Sequence, residues 1–316
     1  MVKKVFITGG AGFIGSHLAD VIAHKGWQVT VYDDLSSGKK EFIRRHMGQG
    51  YFQFIQADLL DLPKLIKSME GHDLVFHLAA NPDIRHGIKY TDTDLKQNTI
   101  VTYNVLEAMR VNKVKDIVLA STSAIYGEPR VMPTPEDYGP LLPISLYGAS
   151  KLACEALCAS FARTFGMKCW IFRFANIVGG RGTHGLIFDF IHKLKSDPKK
   201  LEILGNGKQA KSYLLVDDCV QAMLHAYARG KARVNVYNLG CDDTIDVTAI
   251  AKLLIGKAGL KDVKLIFTGG KRGWPGDVPR MSLAVDKING VGWKSRRGSR
   301  QAVEIAIERT LQECKL

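Results

Sequence analysis

Short runs that are apolar on both faces alternate with amphipathic stretches through the first half of the chain, and few folds accept that pattern. Runs at 2–8, 28–32, 51–56, 74–77, 117–120 and 168–173 read as strands. They lack the polar-out alternation of a half-solvated sheet, so each needs cover on two sides. Helices are predicted between them near 13–25, 61–69, 93–111 and 147–165. Repetition of this kind, with right-handed crossovers, predicts an α/β fold built on a doubly wound parallel sheet with helices on both faces.

After about residue 176 the pattern changes. Helices are predicted near 186–196, 217–229, 246–258 and 299–314, with short apolar runs at 234–239 and 263–267. Gly- and Pro-containing connections at 179–185 and 269–279 read as loops. The expectation is a Rossmann-type first domain over 1–175, with a returning segment near 212–245. A smaller α/β substrate-capping domain is expected over 176–211 and 246–316.

Composition narrows the choice of partner. With 46% hydrophobic and 24% charged residues, the 316-residue chain suits a globular protein and not a disordered one. No apolar run approaches the ~20 residues a membrane helix needs. Met1-Val2-Lys3-Lys4 runs straight into Val5-Phe6-Ile7 without the apolar region of a signal peptide, which predicts a cytoplasmic protein. The net charge of +13 is spread along the chain, and the densest runs, 195–200 and 294–300, read as solvated faces. No nucleic-acid partner is therefore expected, whereas a small anionic substrate suits a basic protein equally well. Six cysteines at 154, 158, 169, 219, 241 and 314 form no metal-ligand pattern, so buried free thiols and no metal are expected.

Gly9, Gly12 and Gly15 stand between the first strand and the first helix in a GxxGxxG spacing. Glycine there lets the turn close, lets backbone N–H groups approach a pyrophosphate and lets helix pack on strand. Asp33 follows the second strand, 18 residues after Gly15, where a carboxylate can accept from adenosine ribose hydroxyls and repel a 2′-phosphate. Lys39 nearby weakens that preference slightly. Asp58-Leu59 follows the third strand, where an acid can meet the adenine amino group or serve as a helix N-cap. Together these features predict a dinucleotide site that takes NAD.

Thr8-Gly9-Gly10-Ala11-Gly12-Phe13-Ile14-Gly15, His77-Leu78-Ala79-Ala80, Ser121-Thr122-Ser123-Ala124-Ile125-Tyr126-Gly127 and Tyr147-Gly148-Ala149-Ser150-Lys151 resemble the extended short-chain dehydrogenase/reductases. The likeness is greatest to their NAD-dependent epimerase/dehydratase branch, typified by the UDP-glucose 4-epimerases, and motifs run from Thr8 to about Asp277. It extends the cofactor contacts to Phe13, Ile14, Asp34, Ser37, Gly38, Asp58, Leu59, Leu78, Ala79 and Ala80. It also implies that Asn98 lies near the nicotinamide ribose. A homodimer through the 93–111 and 147–165 helices is implied as well.

Tyr147 and Lys151 are four apart and share a helical face, although such a pair alone is usually an exposed surface feature. A free tyrosine titrates near 10, and a nearby ammonium and the nicotinamide charge both favour its phenolate. The resemblance implies that Thr122, 25 residues upstream, bonds the reacting sugar hydroxyl, with Ser123 its rival by one residue. Dehydratases of this type resemble Thr-Asp-Glu at this place, and decarboxylases Thr-Ser-Glu. Here Thr122-Ser123-Ala124 carries no carboxylate, and Glu128 lies off the motif position.

The expected activity is therefore a nucleotide-sugar 4-epimerase acting through a transient 4-keto sugar. Epimerisation at another centre, dehydration, reduction and a non-catalytic NAD-binding sensor are the alternatives. For the substrate, the resemblance implies Asn176, Lys211, Arg272 and Asp277. The family's two arginines correspond to Lys211 and Trp274, which leaves the base unassigned, and surface charge is the plainer reading of Lys211 and Arg272. Met281 resembles a pocket-size determinant.

Overall fold

The computed structural model describes residues 3–314, with only the backbone of His86. The elements in its first stretch are β1 (Lys4–Thr8), α1 (Phe13–His24), β2 (Gln28–Asp33), α2 (Lys40–Ile43), β3 (Phe52–Gln56), α3 (Leu62–Ser68), β4 (Leu74–His77) and α4 (His86–Lys89). A π-helical turn, Leu95–Ile100, leads into α5 (Val101–Val111), followed by β5 (Asp116–Thr122), α6 (Leu146–Phe165) and β6 (Lys168–Phe174). Next come β7 (Asn176–Val178), α7 (Leu186–Ser196), β8 (Lys200–Ile203), β9 (Ala210–Lys211), β10 (Tyr213–Leu215) and α8 (Val216–Arg229). The chain ends with β11 (Val234–Leu239), β12 (Ile245–Asp246), α9 (Val247–Lys257), β13 (Lys264–Phe267), β14 (Arg280–Met281), α10 (Asp286–Gly290) and α11 (Ser299–Cys314).

Seven strands form one sheet in the order β11-β6-β5-β4-β1-β2-β3. The β1–β2, β2–β3, β1–β4 and β4–β5 pairs are all parallel. Strand order reverses direction beside β1, the switch point where ligands of such sheets bind. The double-sided apolar strands explain this arrangement. Phe6 and Val75 belong to a core with Leu106 and Met109 from α5 and with Cys154, Cys158 and Ala162 from α6. The twenty-residue α6 is bounded by local chemistry. Ser145 Oγ accepts from the Gly148 N–H at 3.0 Å to start α6, and Gly166 at φ +68° stops it.

The chain divides into two compact units. One comprises 1–125, 145–173 and 223–237, and the other 126–144, 174–222 and 238–316. These boundaries differ from those expected, because the segment 126–144 joins the second unit and the returning stretch is 223–237. Segment 126–144 is held there by its own polar contacts. Asn238 Nδ2 donates to the Thr134 carbonyl at 2.9 Å, and Tyr126 Oη donates to Asn238 Oδ1 at 2.8 Å. The second unit has its own core, in which Ile187, Phe190 and Ile191 of α7 meet Ile250 and Leu254 of α9 and Val303 and Ile307 of α11. Its small sheets are β12-β9-β14, β10-β7 and β13-β8.

Val2 of the expected first strand lies outside the described residues. The helix expected over 93–111 contains the π turn at its start. Cys154, Cys158, Cys169, Cys219 and Cys241 are buried free thiols, and Cys314 is half-buried. Among the described residues, no helix is long and apolar enough to cross a membrane.

Candidate active site

The turn after β1 depends on missing side chains. Gly9 has φ +68°, and a Cβ there would come within 2.7 Å of the Ala79 nitrogen. Glycine is thus required by both dihedral and space. A Cβ on Gly15 would lie 2.1 Å from the Gly9 carbonyl oxygen, so its absence lets α1 close onto the turn. Gly12 donates its N–H to that same carbonyl at 3.1 Å and starts α1 with no side-chain cap. Helix N–H groups without a cap, at the positive end of the dipole, make a phosphate site. Phe13 and Ile14 open the helix beside it. The Leu78 N–H donates to the Thr8 carbonyl at 3.1 Å, which brings Leu78, Ala79 and Ala80 against the turn.

Asp33 ends β2 at 8% exposure. Its carboxylate accepts from the Ala11 N–H at 3.0 Å and from the Leu35 N–H at 2.8 Å, one bond to each oxygen. Burial pushes its pKa up, and the two backbone bonds oppose that. The acid therefore braces the Gly-rich turn and keeps a second lone pair on each oxygen for a ribose. Gly38 packs against it, since a Cβ there would lie 2.9 Å from Asp33 Oδ1. Asp34 and Ser37 are exposed on the same loop, and Asp34 Oδ1 accepts from the Ser36 hydroxyl at 2.6 Å. Asp58 is exposed and accepts from the Leu60 N–H at 2.8 Å, with Leu59 buried beside it. The N-cap of α3 is Asp61, not Asp58. An uncapped helix end, a glycine cradle and a carboxylate after β2 fit NAD.

Thr122, Tyr147 and Lys151 converge. Thr122 is the last residue of β5, and Tyr147 and Lys151 lie one turn apart near the start of α6. Lys151 is 2% exposed, and its Nζ donates to the Ala120 carbonyl at 3.0 Å. Burial pulls its pKa down, against the raising influence of Cys154, Cys158, Asp94 and Glu155. For Tyr147 burial is again the largest cause and pushes the phenol pKa up. Asp94 and Cys154 add to the rise, while the Thr122 side chain opposes it. The Lys151 ammonium spends one of its three donors on the Ala120 carbonyl and keeps its charge. Thr122 ends β5, and its rival Ser123 starts the 3-10 turn that follows.

Asn98 is held by bonds within the protein. It lies in the π turn at 1% exposure, and its Oδ1 accepts from the Asn81 N–H at 2.9 Å. Its Nδ2 donates to Asp94 Oδ1 at 3.2 Å and to Ser150 Oγ at 2.9 Å. Both amide hydrogens are spent inside the protein, so Asn98 ties the π turn to α6 and presents no free donor to a ribose. A second polar rod runs beneath. His77 bonds the Thr8 hydroxyl at 2.7 Å and the Thr102 hydroxyl at 2.9 Å. A third group, buried Glu155, accepts from Ser121 Oγ at 2.5 Å and from Arg173 Nη2 at 2.8 Å, holding β5 and β6 to α6. Sequence spacing signals neither Asp94 nor Glu155, since each matters through partners far along the chain.

Lys211, Arg272 and Asp277 are brought together in the second unit. Lys211 Nζ donates to Asp277 Oδ1 at 2.8 Å and lies 5.6 Å from the centre of the Trp274 ring. Asp277, 3% exposed, also accepts from the Gly273 N–H at 3.0 Å. Arg272 donates to the Asp277 carbonyl at 3.0 Å and to Glu128 Oε1 at 2.7 Å. Lys211 is therefore half-buried and paired, not plain surface charge, while Arg272 is exposed. Glu128 is occupied by this pairing. Asn176 of β7 donates its side-chain amide to the Ser212 carbonyl at 3.3 Å, one residue from Lys211. Met281 is buried opposite Lys211 in the β14–β9 pair.

The chain is similar to known proteins over most of its length. A crystal structure of a UDP-galactose 4-epimerase superposes with a TM-score of 0.89 at 39% identity, covering 98% of this chain and 99% of that one. The UDP-glucose 4-epimerase of Thermotoga maritima, solved with UDP-glucose, gives a TM-score of 0.89 at 31% identity, over 99% of this chain and 100% of that one. The GDP-mannose 3,5-epimerase of Arabidopsis thaliana is 32% identical over 269 residues, 80% of this chain and 68% of that protein. The profile of the NAD dependent epimerase/dehydratase family matches residues 5–240. On that match the chain belongs to the NAD-dependent epimerase/dehydratase family, and it is an extended short-chain dehydrogenase/reductase whose cofactor is NAD.

Proposed function

We propose that this sugar-nucleotide epimerase inverts C4 of a UDP-hexose, with UDP-glucose and UDP-galactose as the interconverted pair. The single observation that carries the reading is the placing of Thr122 at the end of β5 beside Tyr147 and buried Lys151 of α6, with no carboxylate in the Thr122-Ser123-Ala124 run. Hydroxyl and phenol suffice for reversible oxidation of one carbinol, whereas elimination of water needs a further acid–base pair. The 39% likeness to a UDP-galactose 4-epimerase supports the same choice.

NAD, which the Gly9–Gly15 turn and Asp33 would hold, would supply reversible hydride acceptance from C4. The protein manages the proton. Thr122 donates toward the sugar 4-oxygen or the phenol, and Tyr147 takes the 4-OH proton as the C4–H bond breaks. The keto sugar then presents its other face, and Tyr147 gives the proton back to the oxygen as the C–H bond re-forms. Atoms balance, and no cofactor is consumed. Lys151 fixes the rim of β5 through the Ala120 carbonyl and keeps a positive charge near the phenol. Lys211 neutralises part of the diphosphate as a point charge, without the bidentate fork of an arginine. Asn176, Arg272 and Asp277 complete that end.

Two copies pair through α5 and α6, in this reading. Leu95, Ile100, Tyr103, Val111 and Phe165 are exposed apolar residues on the π turn and on these two helices.

The test is a panel of UDP-, GDP-, dTDP- and CDP-sugars incubated with the purified protein and no added cofactor. Interconversion of UDP-glucose and UDP-galactose without net redox is the expected result. Turnover confined to another nucleotide, or to another carbon, overturns the assignment.

A further inference from the structure

Asp94 is a buried acid without an ion-pair partner among the described residues. It is 1% exposed and stands immediately before the π turn. One oxygen, Oδ1, accepts from Asn81 Nδ2 at 2.9 Å and from Asn98 Nδ2 at 3.2 Å. The other, Oδ2, is buried and has no hydrogen-bond partner among the described residues. Leaving a carboxylate oxygen in this state is costly, and such groups persist mainly where they serve a site.

Two further observations connect it to Tyr147. The Asn98 amide that binds Asp94 also donates to Ser150 Oγ at 2.9 Å, and Ser150 Oγ donates to the Tyr147 carbonyl at 2.8 Å. Asp94 is thus three hydrogen bonds from the backbone of the reacting tyrosine. The segment at α4 closes over the free oxygen, because a Cβ on Gly87 would lie 2.4 Å from Oδ2 and 3.8 Å from Leu146 Cβ. Leu146 is the residue next to Tyr147. Nothing bulkier than glycine fits between the acid and the start of α6.

We propose that Asp94 is a positioning residue that governs where the proton of the Tyr147 hydroxyl sits. It acts through the field of its unpaired oxygen and through the Asn98–Ser150 bridge. The proposal rests on the reading of Tyr147 as the proton carrier. A negative charge on Asp94 opposes a second negative charge on the half-buried phenol, so the proton stays on Tyr147 until positive charge enters the site. Tyr147 is then a strong proton holder for the return step.

The groups around the pair are consistent with this balance. From α6, Cys154 raises the phenol pKa as Asp94 does. Lys151 feels Cys154, Cys158 and Glu155 from its own helix and Asp94 from the π turn. From β4, His77 is fully buried and is held neutral by burial and by Lys151. From β6, Arg173 is spent on Glu155. Asp94 is therefore the unpaired acid among the groups that face Tyr147.

The experiment compares wild type with Asp94→Asn, which removes the charge and keeps the size. Phenolate absorbance is titrated without sugar, each protein measured against its own Tyr147→Phe counterpart, so that one residue is read. In Asp94→Asn the phenolate signal appears at lower pH than in wild type, by about half a unit or more. With substrate, the acidic limb of the kcat profile moves the same way. Asp94→Glu keeps the charge and stays close to wild type. Should Asp94→Asn fail to fold, Asp94→Ser carries the same expectation. An unmoved titration in a folded, uncharged variant overturns the proposal, as does a lowered melting temperature with an unmoved profile. The titration needs no substrate, so a wrong sugar assignment leaves it standing, and a failed titration leaves the sugar assignment standing.

Discussion

Lys151 Nζ donates to the Ala120 carbonyl at 3.0 Å, and both residues are buried. That bond crosses from α6 to β5 two residues before Thr122. The lysine thereby sets the spacing between the strand that carries the hydroxyl and the helix that carries the phenol. Lys151→Met removes the bond and the charge while filling the space. It is expected to lower kcat by about 100-fold or more, with a small change in KM. A kcat within a few-fold of wild type would show that the lysine only packs.

Lys211 is paired with Asp277 at 2.8 Å, yet it keeps two further N–H donors for a phosphate. Lys211→Ala is expected to raise KM for the nucleotide sugar by about 10-fold or more, with kcat little changed. Lys211→Arg restores most of the affinity. An unchanged KM in the alanine variant would reduce the lysine to a partner for Asp277.

Burial, with Lys151 as the second cause, pulls the His77 pKa from 6.5 down to about 3. The unfolded chain takes up a proton below about pH 6.5 and the folded protein does not. The stabilisation is complete above about pH 6.5 and is lost as pH falls toward about 3. It amounts to something on the order of a few kcal/mol. Melting temperatures of wild type and His77→Gln should converge as pH falls through this window. Parallel curves would remove His77 from the acid sensitivity.

The strand and helix pattern of the sheet was legible because each element is long enough to show its period. The element spans from α1 to β6 follow the apolar runs closely, and the glycine turn announces itself by three residues in thirteen. The two-residue strands β9, β12 and β14 were not legible, since two residues carry no periodicity. Buried polar groups failed for a different reason. Asn98 and Asp94 take their meaning from Asn81 and Ser150, 17 and 52 residues from Asn98 in the chain. Likewise, the bond from Lys151 to the Ala120 carbonyl is visible only once β5 and α6 are side by side. Segment 126–144 leaves the first unit because Asn238 holds it, a contact across 104 residues to Thr134.

The exposed Leu95, Ile100, Tyr103, Val111 and Phe165 predict a dimer in solution. Light scattering at micromolar concentration should report about twice 34.9 kDa. Tyr103→Glu should shift the protein toward the single-chain mass. A wild-type monomer would contradict the pairing.

Inversion at C4 by hydride transfer and inversion next to a keto group leave different isotopic traces. A hydrogen moved to NAD and back never meets solvent, whereas one lost as a proton exchanges with it. The decisive measurement is proton NMR of UDP-glucose turned over in heavy water. The account predicts UDP-galactose with protium kept at C4 and no deuterium at C3 or C5, and loss of that product in Tyr147→Phe. Deuterium at C3 or C5, or product formation unimpaired in Tyr147→Phe, would contradict it.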